Sequence, residues 1–303
     1  MASNVHAPDS QHYYVPHGSP WPIVAAVSLF ALMVGAVLYL DGVAGAWSLL
    51  IGPVLLLIMF GGWFHAVIGE NQQGVYNAQV DRSFRMGMMW FIFSEVMFFG
   101  AFFGALFYTR IFVVPWLGGA GIRALTNMML WPHYAAAWPT NGPGHVGGDS
   151  FETMSAYGIA AINTMVLLTS GLTVTIAHHA LRAGNRTRLK IFLALTFLLG
   201  FTFVALQAHE YYDAYTRMNL RLTTGIYGST FFMLTGFHGL HVTIGAIMLF
   251  VVWLRVMKGH FTPRQHFAFE AVTWYWHFVD VVWLFLFIIV YVWGGWGAPV
   301  AAH

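Results

Sequence analysis

The chain has 303 residues, of which 58% are hydrophobic and 8% charged, against roughly a quarter charged in ordinary soluble domains. It cannot cover a globular surface with water-compatible side chains, and a net charge of +2 leaves no basic footprint for a nucleic-acid partner. Cysteine is absent, which removes disulfides, thiolate metal sites and cysteine nucleophiles together. The composition implies an integral membrane protein, and its long apolar runs make it all-α.

Residues 1–20 are polar and contain no Lys or Arg, so they lack the basic start of a secretory signal or transit peptide. Apolar runs of about 20 residues are long enough to cross a bilayer, and seven follow: Trp21–Leu40, Trp47–Ile68, Met86–Tyr108, Tyr157–Leu181, Ile191–Tyr212, Gly225–Leu254 and Phe267–Val292. A short turn at Asp41–Gly42 makes the first two a hairpin, over residues 21–70. The other five form a second unit, over residues 84–294, with one long Gly-, Pro- and Trp-rich connection at residues 112–155. The runs are continuous where a membrane β-barrel would alternate, which excludes a barrel.

Nine basic residues fall on one side: Arg82, Arg85, Arg182, Arg186, Arg188, Lys190, Arg255, Lys258 and Arg264. The other side holds Arg110, Arg123, Arg217 and Arg221, so the first is expected to face the cytoplasm, with the N-terminus there and the C-terminus opposite. No inverted repeat points to a transporter, and no phosphate-cradling motif points to an ATP-driven engine.

Ionisable side chains inside a membrane are costly and usually face protein or water. Span three carries Glu95 in FSEVMFFGAFFG, roughly 16 Å from its inner end. It reads as a proton-carrying carboxylate or as a hydrogen-bonded glutamate sealing helix packing, the second preferred. Span six carries His238 and His241 at i and i+3, hence on one face. Haem or metal ligation is the sharp reading of two such imidazoles. Span seven offers His277 and Asp280 at the same spacing, and these four residues are expected to meet in a buried hydrogen-bonded network. Glu95 and Glu210 are its further candidate members. Span five ends in LQAHEYYDAY, where Gln207, His209, Glu210 and Asp213 read as a partly hydrated helix end. Asn163, Thr164, Thr169, Ser170, Thr173 and Thr175 on span four read as polar glue between helices. Trp63, His65 and Glu70, in WFHAVIGE at the end of span two, and Arg255 on span six are candidates for holding a phospholipid headgroup.

Four segments, FIFSEVMFFGAFF, QAHEYYDA, YGSTFFMLTGFHGLHVTIGAI and HFAFEAVTWYWHFVDVVWLFLF, occur in order on spans three, five, six and seven. Together they resemble subunit III of the haem–copper cytochrome c oxidases. The resemblance implies seven helices in which a two-helix hairpin and a five-helix bundle are separated by a V-shaped cleft filled with phospholipid. It implies no haem or copper in this chain, those cofactors belonging to partner subunits. It implies direct packing on subunit I, with subunit II and a small subunit IV as further partners, and a role in sustaining proton uptake and turnover stability. Glu95 matches the family's buried glutamate, and Trp63, His65, Glu70 and Arg255 match lipid-contacting positions, His65 least securely in residue type. The polar start and the long connection are the least family-like parts and point to a bacterial inner membrane rather than a mitochondrial one. Subunit III of a related quinol or nitric-oxide-reducing enzyme remains open, although seven spans favour the cytochrome c branch. So do a proton-coupled carrier using Glu95, Glu210, Glu270 and Asp280, and a haem-binding cytochrome using His238, His241, His277 and the His178–His179 pair.

Overall fold

The structure, a computed structural model, describes residues 18–148 and 150–295, so residues 1–17 of the polar N-terminal segment lie outside the described residues. Its regular elements are helices: α1 (Trp21–Leu40), α2 (Ser48–Gln72), α3 (Ala78–Tyr108), α4 (Val114–Leu117), α5 (Ala124–Leu130), α6 (Ile159–Arg182), α7 (Arg186–Thr216), α8 (Gly225–Met257) and α9 (Phe267–Leu286). A π-turn at Thr109–Val113 joins α3 to α4, and another at Phe287–Trp293 continues α9. Seven helical stretches are long and apolar enough to cross a membrane, so the protein is a multi-pass, all-helical membrane protein.

The helices overrun the apolar runs where caps and charge pairs extend them. The sequence reading starts span three at Met86, yet α3 begins eight residues earlier. There the Asn77 side chain accepts the Val80 N–H at 2.9 Å, and Asp81 pairs with Arg85 one turn on at 2.8 Å. Glu95 therefore sits 17 residues from the true helix start. At the other end, α6 and α8 both stop in the same hydrogen-bonded cap. Asn185 N–H reaches back to Ala180 O and His260 N–H to Arg255 O, with Gly184 (φ +73°) and Gly259 (φ +80°) taking the left-handed conformation that the cap demands. Arg182 and Arg255 stand in the two last turns, where a cation complements the helix dipole.

The chain falls into two compact units that divide between Gly87 and Met88, inside α3. In the first, α1 and α2 form a hairpin. Ser48 Oγ donates to Gly35 O across it at 2.9 Å, and Gly52 abuts the backbone of Leu32 so closely that no side chain fits there.

In the second, α6 to α9 are sequential neighbours joined by short connections, and α9 returns to pack on α6, closing a four-helix ring. Its centre is Trp276, fully buried, which wedges into notches at Gly200 on α7 and Gly245 on α8 and donates its indole N–H to Ser170 Oγ on α6 at 2.9 Å. Small residues thus let three helices close on one aromatic ring. The part of α3 beyond Met88 lies on this ring through aromatic contacts, Phe98 with Phe237 at 4.9 Å between centroids and Phe99 with Phe278 at 6.1 Å.

Candidate functional site

The polar side chains expected in one network are parcelled out among separate partners. His238 and His241 share a face of α8, but the first turns to α9 and the second to α3. His238 is wholly buried, its Nε2 3.2 Å from the carbonyl of Val279, with Trp283 and Phe203 against its ring. A carbonyl only accepts, so Nε2 carries the proton.

His241 has Nδ1 2.6 Å from the carbonyl of Phe237 and Nε2 2.9 Å from Glu95 Oε2. Nδ1 must donate to Phe237. Two bare acceptors do not sit 2.9 Å apart, so one proton lies in the bridge between Nε2 and the carboxyl. The pair is either a neutral imidazole with a carboxylic acid or an imidazolium with a carboxylate, and both forms have zero net charge. Phe98, Phe99 and Tyr275 wrap the imidazole. Chemically the pair can hold one proton at mid-span and pass it between two atoms.

His277 and Asp280 form a second pair on α9, with Nδ1 and Oδ2 3.6 Å apart. Thr175 on α6 donates to Gly171 O at 2.9 Å and accepts from His277 Nε2 at 3.2 Å, orienting the ring. The Asp280 carboxyl presses on Gly171, where only a glycine leaves room for it. The imidazole is half-exposed whereas the carboxyl is buried.

Glu210 corrects the reading of α7's end as hydrated. Glu210 and Gln207 point into the ring and are buried, while His209, Asp213 and Arg217 form a separate chain of ion pairs, at 3.3 and 3.4 Å, in which His209 and Arg217 are exposed. The hydroxyl of Tyr291 donates to Glu210 Oε2 at 3.2 Å, and Gln207 donates to Thr235 O at 2.8 Å. Of the polar groups of α6 read as helix glue, Thr175 and three others bond between helices, whereas Thr169 is exposed and bonds to Met165 O of its own helix and the buried Asn163 side chain has no partner among the described residues. Thr164 accepts from Trp283, Ser170 from Trp276, and Thr173 meets Thr196.

Of the candidate lipid-contacting residues, Trp63, His65 and Glu70 belong to the first unit and Arg255 to the second. Trp63 and Glu70, seven residues apart, share a face of α2, and Tyr76 donates to Glu70 at 2.6 Å. His65 stands about 200° round the helix from Trp63, on the opposite face. Arg255 is buried, with its guanidinium 4.5 Å from the ring centre of Phe261.

Among the described residues, no group of three or more His, Asp or Glu side chains is gathered as for a metal ion. A recess of about 160 Å³ between α3 and α8 is lined by Phe102, Ala105, Ser229, Thr230, Met233 and Leu234, with no acid or base in its wall.

The sequence model of the family described as cytochrome c oxidase subunit III matches residues 11–295. The chain belongs to the cytochrome c oxidase subunit III family. Proteins named cytochrome c oxidase subunit 3 from Squalus acanthias and Carassius auratus are 42% and 41% identical to it over 295 residues, which is 97% of this chain and all of each relative. That of Gadus morhua is 41% identical over 283 residues, covering 93% of this chain and 97% of the relative. Every paired polar residue described above falls inside the matched stretch.

Sequence reasoning missed Tyr291, Thr175 as an orienting group, and Arg110. The Arg110 guanidinium lies 3.9 Å from the Trp293 ring centre and 5.5 Å from that of Trp138, and it donates to Trp293 O. A lone Arg past a span's end and a Tyr near the end of an apolar run both read as boundary residues. Only the aromatic excess around positions 138 and 293 hinted at more.

Proposed function

We propose that this chain is the non-catalytic subunit III of a proton-pumping cytochrome c oxidase, packed on subunit I beside subunit II and a small subunit IV. The haems and coppers belong to the partner subunits. The observation that carries the reading is the family match over residues 11–295, joined to a structure in which Glu95 pairs with His241 and His277 with Asp280, while Glu210 and His238 are held by Tyr291 and the Val279 carbonyl. In this reading the chain binds phospholipid, with Trp63 and Glu70 as headgroup-contacting groups of the first unit and Arg255, whose buried Nε has no partner among the described residues, as one of the second. His65 is the least supported of the four because it faces away from Trp63.

The subunit sustains proton uptake and turnover stability in its neighbour, with the Glu95–His241 bridge as a proton-holding element. The membrane is the bacterial inner membrane, with the N-terminus in the cytoplasm and the C-terminus in the periplasm. The length of the connection between spans three and four and the distribution of basic residues support this placement. Removing the chain from the purified complex leaves initial electron transfer but shortens its lifetime in turnover. An unchanged lifetime and unchanged proton uptake would overturn the reading. The haems and subunits that copurify decide between a cytochrome c oxidase and a quinol- or nitric-oxide-using relative.

A further inference from the structure

The connection after span three contains a segment that the family resemblance does not absorb, a 3₁₀ turn at Gly121–Arg123 running into α5. Its apolar side chains are almost bare: Ile122 is 95% exposed, Met129 80%, and Leu125, Met128 and Leu130 each 60% or more. The seven residues of α5, ALTNMML, carry no charge. A water-facing loop of this composition is unusual, and a contiguous exposed apolar patch marks a contact surface.

The position of the helix says what that contact is. Asn127 Nδ2 donates to the carbonyl of Leu117 at 2.8 Å and to that of Trp131 at 3.1 Å. Leu117 is the last residue of the long helical stretch that contains the third span, nine residues beyond the apolar run's end at Tyr108, so the tether ties α5 to the part of that stretch that projects past the apolar run. Arg123, just ahead of the helix, places its guanidinium 5.1 Å from the ring centre of Trp116. An Arg and a Trp together at a span's end are the residues expected at headgroup level. Ile111 and Phe112, on the span below, are exposed too, so the patch continues a lipid-facing surface. At 1.5 Å per residue α5 is roughly 10 Å long, too short to cross a membrane and suited to lying in its plane.

We propose that Gly121–Leu130 is an interfacial foot. It lies in the boundary between headgroups and acyl chains on the side of the long connection, with Ile122, Leu125 and Met129 among the acyl chains and Arg123 at the phosphates. The foot anchors the end of span three and fixes its depth.

The absence of cysteine makes the test direct. The full chain, in the complex with which it purifies, is reconstituted into nanodiscs of phosphatidylethanolamine and phosphatidylglycerol. A nitroxide is attached at Ile122→Cys, Leu125→Cys or Met129→Cys, and at His133→Cys on the exposed loop beyond as a water reference. The complex without these substitutions is the labelling blank. Collision rates with oxygen and with a water-soluble nickel chelate are read from each label. The foot labels are expected to favour oxygen over the chelate, inverting the ratio at His133→Cys. A chelate-favoured ratio at all three would show that the segment stands in water, and low collision rates with both reagents, with an immobilised spectrum, would show that protein covers it. Either result overturns the proposal, and neither bears on the identity of the complex.

Discussion

The hydroxyl of Tyr291 donates to Glu210 Oε2 across 3.2 Å, joining the end of the last span to α7 inside a site that no solvent reaches. Tyr291→Phe keeps the ring but leaves the carboxyl without its donor. Removing one partner of a buried hydrogen bond costs about 1–3 kcal/mol. The thermal midpoint of the complex falls accordingly, and Glu210→Gln in the same chain makes the two changes non-additive. Strict additivity would show that the two groups are energetically independent.

The Glu95–His241 bridge predicts an order of severity. In Glu95→Gln the amide N–H₂ can donate to Nε2, so the contact survives without its mobile proton. In Glu95→Ala the imidazole faces an apolar gap, and the loss exceeds that of Glu95→Gln by about 1–3 kcal/mol. Denaturation of the two variants side by side checks this. Equal losses would mean that the charge and not the hydrogen bond matters.

Gly171→Ala puts a methyl group into the space held by the Asp280 carboxyl, 3.7 Å from His277 Nδ1. Alanine is the better helix former by roughly 1 kcal/mol, but overpacking costs typically 1–3 kcal/mol. Net destabilisation follows, and Asp280→Ala in the same chain recovers part of it. If Gly171→Ala stabilises the assembled subunit, the close approach of α6 and α9 is not a constraint.

His260, in the loop between α8 and α9, supplies a pH dependence. Burial first, and then the nearby Arg255 and Lys258 cations, hold its imidazole below the ordinary 6.5. The unfolded chain therefore binds more protons than the folded one between 6.5 and the lowered value, so stability rises with pH across that window. As pH falls through it, this contribution turns against the fold, and below the lowered value the loss is complete. The thermal midpoint measured from pH 7 downward should decline less steeply in His260→Gln than in the parent. Parallel curves would remove His260 from the linkage.

The seven spans were legible because each is a long apolar run, and for α8 the reading Gly225–Leu254 meets the helix start and falls three residues short of its end at Met257. The start of α3 was not, since its first two turns are held by Asn77 and the Asp81–Arg85 pair rather than by apolar residues. The polar residues were legible one by one but not in their pairings. Spacing i, i+3 puts His238 and His241 on one face of α8, yet the residues differ by about 60° around the helix axis. Where that face meets both α3 and α9, 60° is enough to send them to different neighbours. Two of their three hydrogen-bond partners are backbone carbonyls, of Phe237 and Val279, which no side-chain pattern announces. Glu210 also read as part of a hydrated helix end because it adjoins the exposed His209; its burial depends on packing against Tyr291, which distance from the helix end does not reveal.

The Arg110 clamp carries a consequence for the order of biogenesis. Its cation is gripped by Trp293, 183 positions later in the chain, so this contact forms only once residue 293 has been made. Arg110 thereby ties completion of the third span's far end to delivery of the seventh. A chain ending before Trp293 should insert all seven helices yet be cleared faster than the full-length protein, with Arg110→Leu slowing that clearance.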